Sequence, residues 1–200
     1  MATRAALLDA AIESICADGY AAVTTSEIAR RAGVSRGAQL HHFPTKAELM
    51  TAAIEHLLAL RVQEFREAFT AEALRGDLVD DGIDLLWTMF EGPAFVAWVE
   101  LWVAARTDPD LAVAMADMDR RFTEETRLLF VELTRGAGAP DPGELEMVRD
   151  LVFAAMEGVA LQRLVPRGQR PVADYLRLLK ELAHVVLEPR DRSARRTERA

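Results

Sequence analysis

Residues 23–49 of this 200-residue chain read VTTSEIARRAGVSRGAQLHHFPTKAEL, and they indicate how the amino-terminal part of the chain folds. Two short helices joined by a tight turn need a small residue where they cross, a residue that tolerates positive φ in the turn, and a cap for the second helix. Ala29, Gly33 and Ser35 supply these features in that order. The spacing therefore predicts a helix-turn-helix whose second helix ends at the Phe43-Pro44 pair.

The sequence before this stretch predicts one more helix. Apolar residues between Leu7 and Cys16 recur at helical spacing, and Gly19 follows as a stop, so we expect about four helical turns. Capping residues at 24–26, with Glu27 in the first turn, mark the start of the next helix. Three helices are therefore expected before residue 43.

The rest of the chain is also predicted to be helical. Thr45 can cap a long helix that begins near Lys46 and ends before Gly76. The later segments are long and lack sustained period-two alternation, and they are separated by breaks at Gly92-Pro93, Asp108-Pro109, 136–143 and 166–171. The expected fold class is all-α, with nine or ten helices.

Charge is distributed unevenly along the chain. The formal net charge is -8, but residues 1–46 hold five basic and four acidic side chains, a net of +1, which leaves -9 for the remainder. The acidity therefore does not exclude a nucleic-acid partner for the amino-terminal part. Thr25 and Ser35 each open a helix whose free N–H groups can also receive a phosphate oxygen.

Other features of the composition limit the class of protein. The single cysteine, Cys16, allows no internal disulfide and fits a reducing cytoplasm. No secretion signal is visible at the start. The apolar stretches at 96–105 and 151–161 are interrupted by Glu100 and Glu157, so no membrane span is expected. We expect a soluble cytoplasmic protein without a membrane partner.

The sequence from Ala5 to about Leu49 resembles the TetR family of transcriptional regulators. The resemblance is carried by Thr-Thr-Ser-Glu-Ile-Ala at 24–29, Ala-Gly-Val-Ser-Arg-Gly at 32–37 and His-Phe-Pro-Thr-Lys at 42–46. It implies double-stranded DNA as partner, with the third helix in the major groove, phosphates held by Thr25 and Lys46, and bases faced by Arg36, Gly37, Gln39 and His41. The DNA-binding set is Thr24, Thr25, Ser26, Ser35, Arg36, Gly37, Ala38, Gln39, His41, His42, Thr45 and Lys46.

One pair of residues departs from the family pattern. Where Leu-Tyr is usual before the His-Phe exit, this chain has Gln39-Leu40, so a tyrosine hydroxyl that commonly reaches a phosphate is absent. Two interpretations are open: Gln39 faces a base, or Gln39 and Leu40 have exchanged inward and outward roles. A glutamine offered to an adenine edge discriminates by roughly 1–3 kcal/mol, so the choice affects operator sequence.

Aromatic and methionine side chains in the carboxy-terminal part suggest a pocket for a small molecule of unknown identity. They cluster on both sides of Gly92-Pro93, and methionines add adaptable apolar surface. Ordinary helical core is the alternative. Glu100 is either a ligand anchor or a solvent-facing carboxylate. The predicted ligand-binding residues are Trp87, Phe90, Phe95, Trp98, Glu100, Trp102, Met118, Phe122 and Met156.

Two helices predicted at 145–164 and 172–187 carry broad apolar stripes, with small residues that allow close helix contact. In TetR-like proteins the last two long helices form a four-helix bundle across a two-fold axis, and Met-Glu-Gly-Val-Ala-Leu-Gln-Arg-Leu at 156–164 is similar to that region. A homodimer on a palindromic operator follows, with an intrachain core as the alternative. The predicted interface is Val152, Ala155, Val159, Gln162, Tyr175, Leu179, Leu182 and Val186.

The expected domains are a helix-turn-helix DNA-binding domain at 1–48, a ligand-binding and dimerisation domain at 49–188, and a disordered basic tail at 189–200. The resemblance implies that the protein acts by repression that a ligand relieves. A ligand-independent architectural DNA binder is the alternative.

An enzyme is not expected. Glu181 and His184 have the Glu-x-x-His spacing of di-iron bundles, but no second copy exists, so we predict a surface pair. The adjacent His41 and His42 point to different sides of a helix and do not jointly chelate. Neither a metal nor a cofactor is therefore predicted. A redox role for Cys16 is a minor alternative to simple packing.

Overall fold

The structure is a computed structural model that describes residues 2–68, 76–134, 142–165, 168 and 170–187. Within these ranges the chain forms nine α-helices and no strand, which confirms the all-α prediction. The predicted tail at 189–200 lies outside the described residues. The helices are α1 Ala2–Asp18, α2 Thr25–Arg31, α3 Arg36–His42, α4 Lys46–Ala68, α5 Leu78–Thr88, α6 Pro93–Ala105, α7 Pro109–Thr134, α8 Pro142–Arg163 and α9 Val172–Leu187.

Local signals determine the ends of the first three helices. The chain turns after α1 at Gly19, with φ +75°, and after α2 at Gly33, with φ +65°. Glycine has no Cβ and therefore adopts this left-handed region without a steric penalty, as the sequence predicted for Gly33. Thr24 Oγ1 accepts a hydrogen bond from the Glu27 N–H at 3.2 Å, and Ser35 Oγ accepts one from the Ala38 N–H at 3.2 Å. Both helices of the helix-turn-helix are therefore capped.

A reciprocal pair of hydrogen bonds begins α4. Thr45 Oγ1 accepts from the Glu48 N–H at 3.1 Å, while Glu48 Oε2 accepts from the Thr45 N–H at 3.1 Å. This capping box satisfies two backbone donors that the helix itself leaves unpaired. The helix then continues to Ala68, in agreement with the long helix expected here.

The described helices belong to two compact units. The first comprises residues up to Ala68 together with 91–129, and so contains α1–α4, α6 and most of α7. In it α1 packs against α2, α4 and α6. Its core is made by side chains with no exposed surface, among them Leu7, Ala11, Ile15, Leu49, Ala53, Leu57, Ala97 and Leu101. The helix-turn-helix thus shares one core with α6, and the functional division near residue 48 stays a prediction.

Polar contacts attach α7 to its neighbours in the first unit. Arg121 Nη1 bonds both carboxylate oxygens of Glu55 on α4 at 2.9 Å, and Arg66 Nη2 bonds Glu125 at 2.6 Å. The side chains in these two pairs are substantially exposed, so each pair adds little to stability. They therefore align α7 along α4 and contribute little to the free energy of folding.

The second unit contains α5, α8 and α9, which all pack on one another. Its interior holds buried apolar side chains of α5 and α8, including Leu86, Trp87, Val152, Met156 and Ala160. Two polar contacts join α9 to α5: Lys180 Nζ lies 2.7 Å from Asp84 Oδ2, and His184 Nε2 lies 3.0 Å from Asp80 Oδ1.

We predict that Gly19→Ala lowers stability by about 1–2 kcal/mol, because an alanine at φ +75° is strained and its Cβ would lie 3.2 Å from Glu100 Oε2. Gly37→Ala is the matched control, since Gly37 is helical and its Cβ would meet open space. Thermal and urea unfolding followed by circular dichroism measure both. Equal stability changes for the two variants would contradict this account of the turn.

Candidate functional site

The outer face of α3 is an exposed surface of the helix-turn-helix. Arg36, Gly37, Leu40 and His41 are all exposed, and their spacing places them on one side of the helix. Leu40 exposes 42% of its surface. Leu40 is absent from the DNA-binding set predicted from sequence, although its position four residues after Arg36 places it on the same side of the helix.

Gln39 lies on the opposite side of α3 and is completely buried. Its Nε2 donates to the Phe43 carbonyl oxygen at 2.6 Å, and its Oε1 accepts from Arg36 Nη1. The prediction that Gln39 faces a base is therefore wrong, and so is the proposed exchange with Leu40. The physical reason is that both ends of the amide have partners, so a polar side chain can occupy this inward position at small cost.

Lys46 and Thr25, the two residues expected to hold phosphates, make contacts within the unit. Lys46 Nζ donates to the Val23 carbonyl oxygen at 2.7 Å and lies 5.0 Å from the centre of the Tyr20 ring. Thr25 Oγ1 accepts from Arg36 Nη1 at 2.7 Å. An ammonium has three donor hydrogens, so the bond to Val23 leaves donors on Lys46 for another acceptor.

The other predicted DNA-binding residues are also at least partly accessible. Ala38 and His42 are half-buried, and His42 lies beside His41 and Phe43, with ring centres 5.5 and 6.5 Å apart respectively. Thr24, Ser26, Ser35 and Thr45 are exposed. Of the twelve residues in the predicted set, Gln39 is the buried one.

Carboxylates offset some of the basic side chains near this surface. Arg30 bonds Glu27 through two nitrogens, and this contact holds the pKa of the Glu27 carboxyl below its usual value. Arg31 pairs with Asp18 at 3.1 Å. Within the described residues neither Arg36 nor Lys46 forms such a pair. Arg36 and Lys46 thus keep positive charges that no carboxylate of the described residues offsets.

An aromatic ladder extends along α6 in the first unit. Phe95 and Trp98 stack with ring centres 5.9 Å apart, and Trp98 and Trp102 stack at 6.1 Å. Trp98 Nε1 donates to Asp119 Oδ1 on α7 at 3.0 Å. Burial raises the pKa of the Asp119 carboxyl, while the bond from Trp98 and the charge of Arg61 act in the opposite direction.

Arg61 on α4 completes this cluster, which we call the α4–α6–α7 cluster: Arg61, Trp98, Asp119 and Phe122. The guanidinium lies 5.3 Å from the centre of the Phe122 ring, and Arg61 exposes only 6% of its surface. Burial lowers the pKa of Arg61. Neither Arg61 nor Asp119 is among the residues predicted from sequence, although a basic residue between Leu57 and Phe65 on an apolar stripe was a usable signal.

Glu100 makes a contact within the protein that the sequence did not predict. Its Oε2 accepts a hydrogen bond from the Tyr20 backbone N–H at 3.2 Å, in the turn between α1 and α2. The carboxylate is half-buried. Glu100 Oε2 therefore holds the turn, and a role of Glu100 as ligand anchor stays a prediction.

The predicted ligand-binding residues fall into two groups. Phe95, Trp98, Glu100, Trp102, Met118 and Phe122 belong to the first unit, and Trp87, Phe90 and Met156 belong to the second. In the second unit Phe90 stacks on Trp87 at 6.2 Å and meets the edge of Phe153 at 6.0 Å, with Met156 fully buried nearby on α8. These three residues make the core of that unit.

Large apolar side chains on α8 and α9 are exposed. On α8 they include Met147, 71% exposed, and Leu151, 62% exposed, which are one helical turn apart. On α9, Leu178, Leu182 and Val185 are exposed at the same kind of spacing. We call these five residues the α8–α9 apolar face.

The predicted interface residues lie partly beside this face. Val152 is 4% exposed and packs inside its own unit, so its assignment to an interface is corrected. Gln162 and Leu182 are exposed. Ala155, Val159, Tyr175, Leu179 and Val186 are half-buried.

The minor candidates for chemistry have structural partners. Cys16 Sγ lies 3.1 Å from the Pro93 carbonyl oxygen, and burial raises the pKa of its thiol, which disfavours the reactive thiolate. Glu181 pairs with Arg177 at 3.0 Å, whereas His184 faces Asp80 on α5. Glu181 and His184 are therefore not aimed at a common ion.

Comparison with known proteins assigns the chain to a family. The description "Bacterial regulatory proteins, tetR family" matches residues 7–53, and "BetI-type transcriptional repressor, C-terminal" matches residues 88–188. The regulator CymR of Pseudomonas putida is 32% identical over 166 residues, which cover 82% of this chain and 80% of CymR. The regulator BetI of Burkholderia thailandensis is 26% identical over 198 residues, 94% of each chain.

Solved structures share the fold. The multidrug binding protein EbrR complexed with ethidium has a TM-score of 0.64 and 22% identity, covering 92% of this chain and 98% of EbrR. Among the described residues, none of the helices is long and apolar enough to cross a membrane. Two matched regions and a relative that spans most of the sequence lead to one conclusion. The chain belongs to the TetR family of transcriptional regulators, and it is a helix-turn-helix DNA-binding protein rather than an enzyme.

Proposed function

We propose that this chain is a ligand-responsive repressor that binds a palindromic operator as a homodimer, in the cytoplasm where the DNA lies. A small, largely apolar molecule that binds the carboxy-terminal domain, residues 49–188, releases the repressor from its operator. The observation that carries the proposal is the outer face of α3, where Arg36 is exposed and has no carboxylate partner among the described residues. The family resemblance alone supports repression over activation.

Contacts to DNA divide into those that read bases and those that hold phosphates. Arg36, Gly37, Leu40 and His41 form the base-facing set, with Leu40 offering apolar contact to a thymine methyl group. Lys46 and Thr25 hold phosphates beside them. Phosphate contacts fix the position of α3 in the groove, and base contacts set the sequence that is preferred.

The α8–α9 apolar face supports the homodimer. Large exposed apolar side chains recur at helical spacing on both α8 and α9 of the second unit, which is typical of helices that pack against a protein partner. A two-fold axis through this face would pair α8 and α9 with their copies in a four-helix bundle. The two α3 helices would then contact half-sites about 34–36 Å apart, or a multiple of that spacing.

The α4–α6–α7 cluster is the proposed effector site. Stacked rings from α6 offer flat apolar surface, while the buried Arg61 and the half-buried Asp119 offer a charge of either sign to a ligand group. The relative EbrR is described as a multidrug binding protein complexed with ethidium, a flat aromatic cation, which supports a similar ligand class here. A coupling of roughly 1–3 kcal/mol is enough to change operator affinity by 5- to 150-fold.

Selection of bound sequences from random duplexes tests the proposal, and we expect an enriched inverted repeat. On that operator Arg36→Ala should cost about 1–3 kcal/mol and relax preference at one base position, whereas Lys46→Ala should weaken binding to all duplexes and reduce the salt slope by about 1. Arg127→Ala is the matched control, because it also removes one positive charge, on α7, where Arg127 pairs with Glu124. If all three variants lost base preference to the same extent, the assignment of Arg36 to a base and of Lys46 to a phosphate would be wrong.

We predict that Leu151→Glu together with Leu182→Glu converts the protein to a monomer, because each places a charge in an apolar interface. Val113→Glu on α7, where the side chain is 73% exposed, is the control and should stay dimeric. Light scattering after size-exclusion chromatography measures the mass. A double variant that remains a dimer with unchanged mass would rule out the α8–α9 apolar face.

For the effector we predict that neutral and cationic flat aromatic compounds raise the melting temperature and weaken operator binding. Phe122→Ala should reduce the affinity of an active compound about tenfold, since a ring that stacks and supports Arg61 is lost. Phe153→Ala in the core of the second unit serves as control. An affinity that falls with Phe153→Ala and not with Phe122→Ala would place the effector elsewhere.

A further inference from the structure

Gln39 is a buried polar residue in the middle of the helix that reads DNA. Helix-turn-helix units normally pack an aliphatic residue at this inward position, yet here an amide fills it with no exposed surface. Among the described residues no buried side-chain nitrogen or oxygen lacks a hydrogen-bond partner. The amide is therefore part of a completed network, and its partners indicate what the network holds in place.

One end of the amide fixes the carboxyl end of α3. Gln39 Nε2 donates to the Phe43 carbonyl oxygen at 2.6 Å, and the Phe43 N–H donates to the Gln39 carbonyl oxygen at 2.8 Å. The same residue thus bonds Phe43 through its side chain and through its backbone. These two bonds restrain the side chain of Gln39 relative to the last turn of the helix.

The other end of the amide holds Arg36. Gln39 Oε1 and Thr25 Oγ1 both accept from Arg36 Nη1, so α2 and the middle of α3 restrain one corner of the guanidinium. In the part of the chain that the structure describes, both recorded bonds of Arg36 leave from that single nitrogen. The edge formed by Nε and Nη2 keeps three N–H donors.

We propose that Gln39 is a positioning residue for DNA readout: it holds Arg36 so that the Nε and Nη2 edge is presented to a guanine. That edge is the planar fork that matches guanine O6 and N7 in the major groove. Holding it before binding removes the cost of immobilising a flexible side chain, which corresponds to about 2- to 12-fold in affinity. The inference rests on the proposed role of Arg36 at a base.

The test compares Gln39→Leu, Arg36→Ala and the double variant on the selected operator and on operators with each base pair replaced. Leucine keeps the volume and the burial but removes the acceptor for Arg36. We expect a loss of about 2- to 12-fold, confined to the base pairs that Arg36→Ala affects, and no further loss in the double variant. Gln63→Leu, an exposed glutamine on α4, is the matched control and should bind as the wild type does.

A second variant separates the two ends of the amide. Gln39→Glu keeps an acceptor for Arg36 and loses the donor to Phe43, so it should retain the base preference that Gln39→Leu loses. Loss of preference in both variants would mean that Gln39 acts through the end of α3, and would overturn the inference. Thermal unfolding of each variant shows that the comparison is made on folded protein.

Four further results would overturn the inference. Independent, multiplying losses from Gln39→Leu and Arg36→Ala would show that the residues do not act together. A uniform loss on all duplexes with a smaller salt slope would place Arg36 on a phosphate. Unchanged base preference in Gln39→Leu would remove the positioning role alone, whereas a wild-type protein without any base preference would overturn the proposed function as well.

Discussion

The buried apolar face of α1 is the constraint on which the DNA-binding surface depends. Leu7, Ala11 and Ile15 have no exposed surface, and through them α1 packs against α2, α4 and α6. A seven-residue helix such as α3 is too short to be stable alone, so its position is set by the core beneath it. The face that α3 exposes is therefore determined by the packing of the helices beneath it.

The same packing joins the helix-turn-helix to α6. Glu100 on α6 accepts the Tyr20 N–H in the turn that leads from α1 to α2, and Cys16 on α1 contacts the Pro93 carbonyl oxygen at the start of α6. A movement of α6 would thus disturb the turn that positions α2 and α3. The aromatic ladder of the proposed effector site is on this same helix. Ligand and operator would then bias one shared set of contacts, as coupling between two sites requires.

Local features of the fold were predictable from sequence because their causes are local. The positive φ of Gly33, the cap at Ser35 and the start of α4 at Lys46 depend on residues within one turn of the position concerned. The inward Gln39 was not predictable in the same way, since which side of α3 is buried depends on the core beneath it, and the amide is tolerated there because Arg36 donates to its Oε1 and the Phe43 carbonyl oxygen accepts from its Nε2. Val152 was misassigned because α8 is apolar on two faces, and periodicity does not tell which face its own unit covers.

Net charge is a weak guide to whether such a protein binds DNA. The chain carries a formal net charge of -8, yet pairing determines which basic groups remain available, and Arg30 and Arg31 are offset by Glu27 and Asp18. The proposed mode of DNA binding requires that the outer face of α3 lies in a major groove. Interference by guanine N7 methylation on the bound operator tests this most directly, because N7 lies in the major groove. The account predicts interference at guanines in two half-sites one or more helical turns apart, and binding unaffected by methylation at every guanine would contradict it.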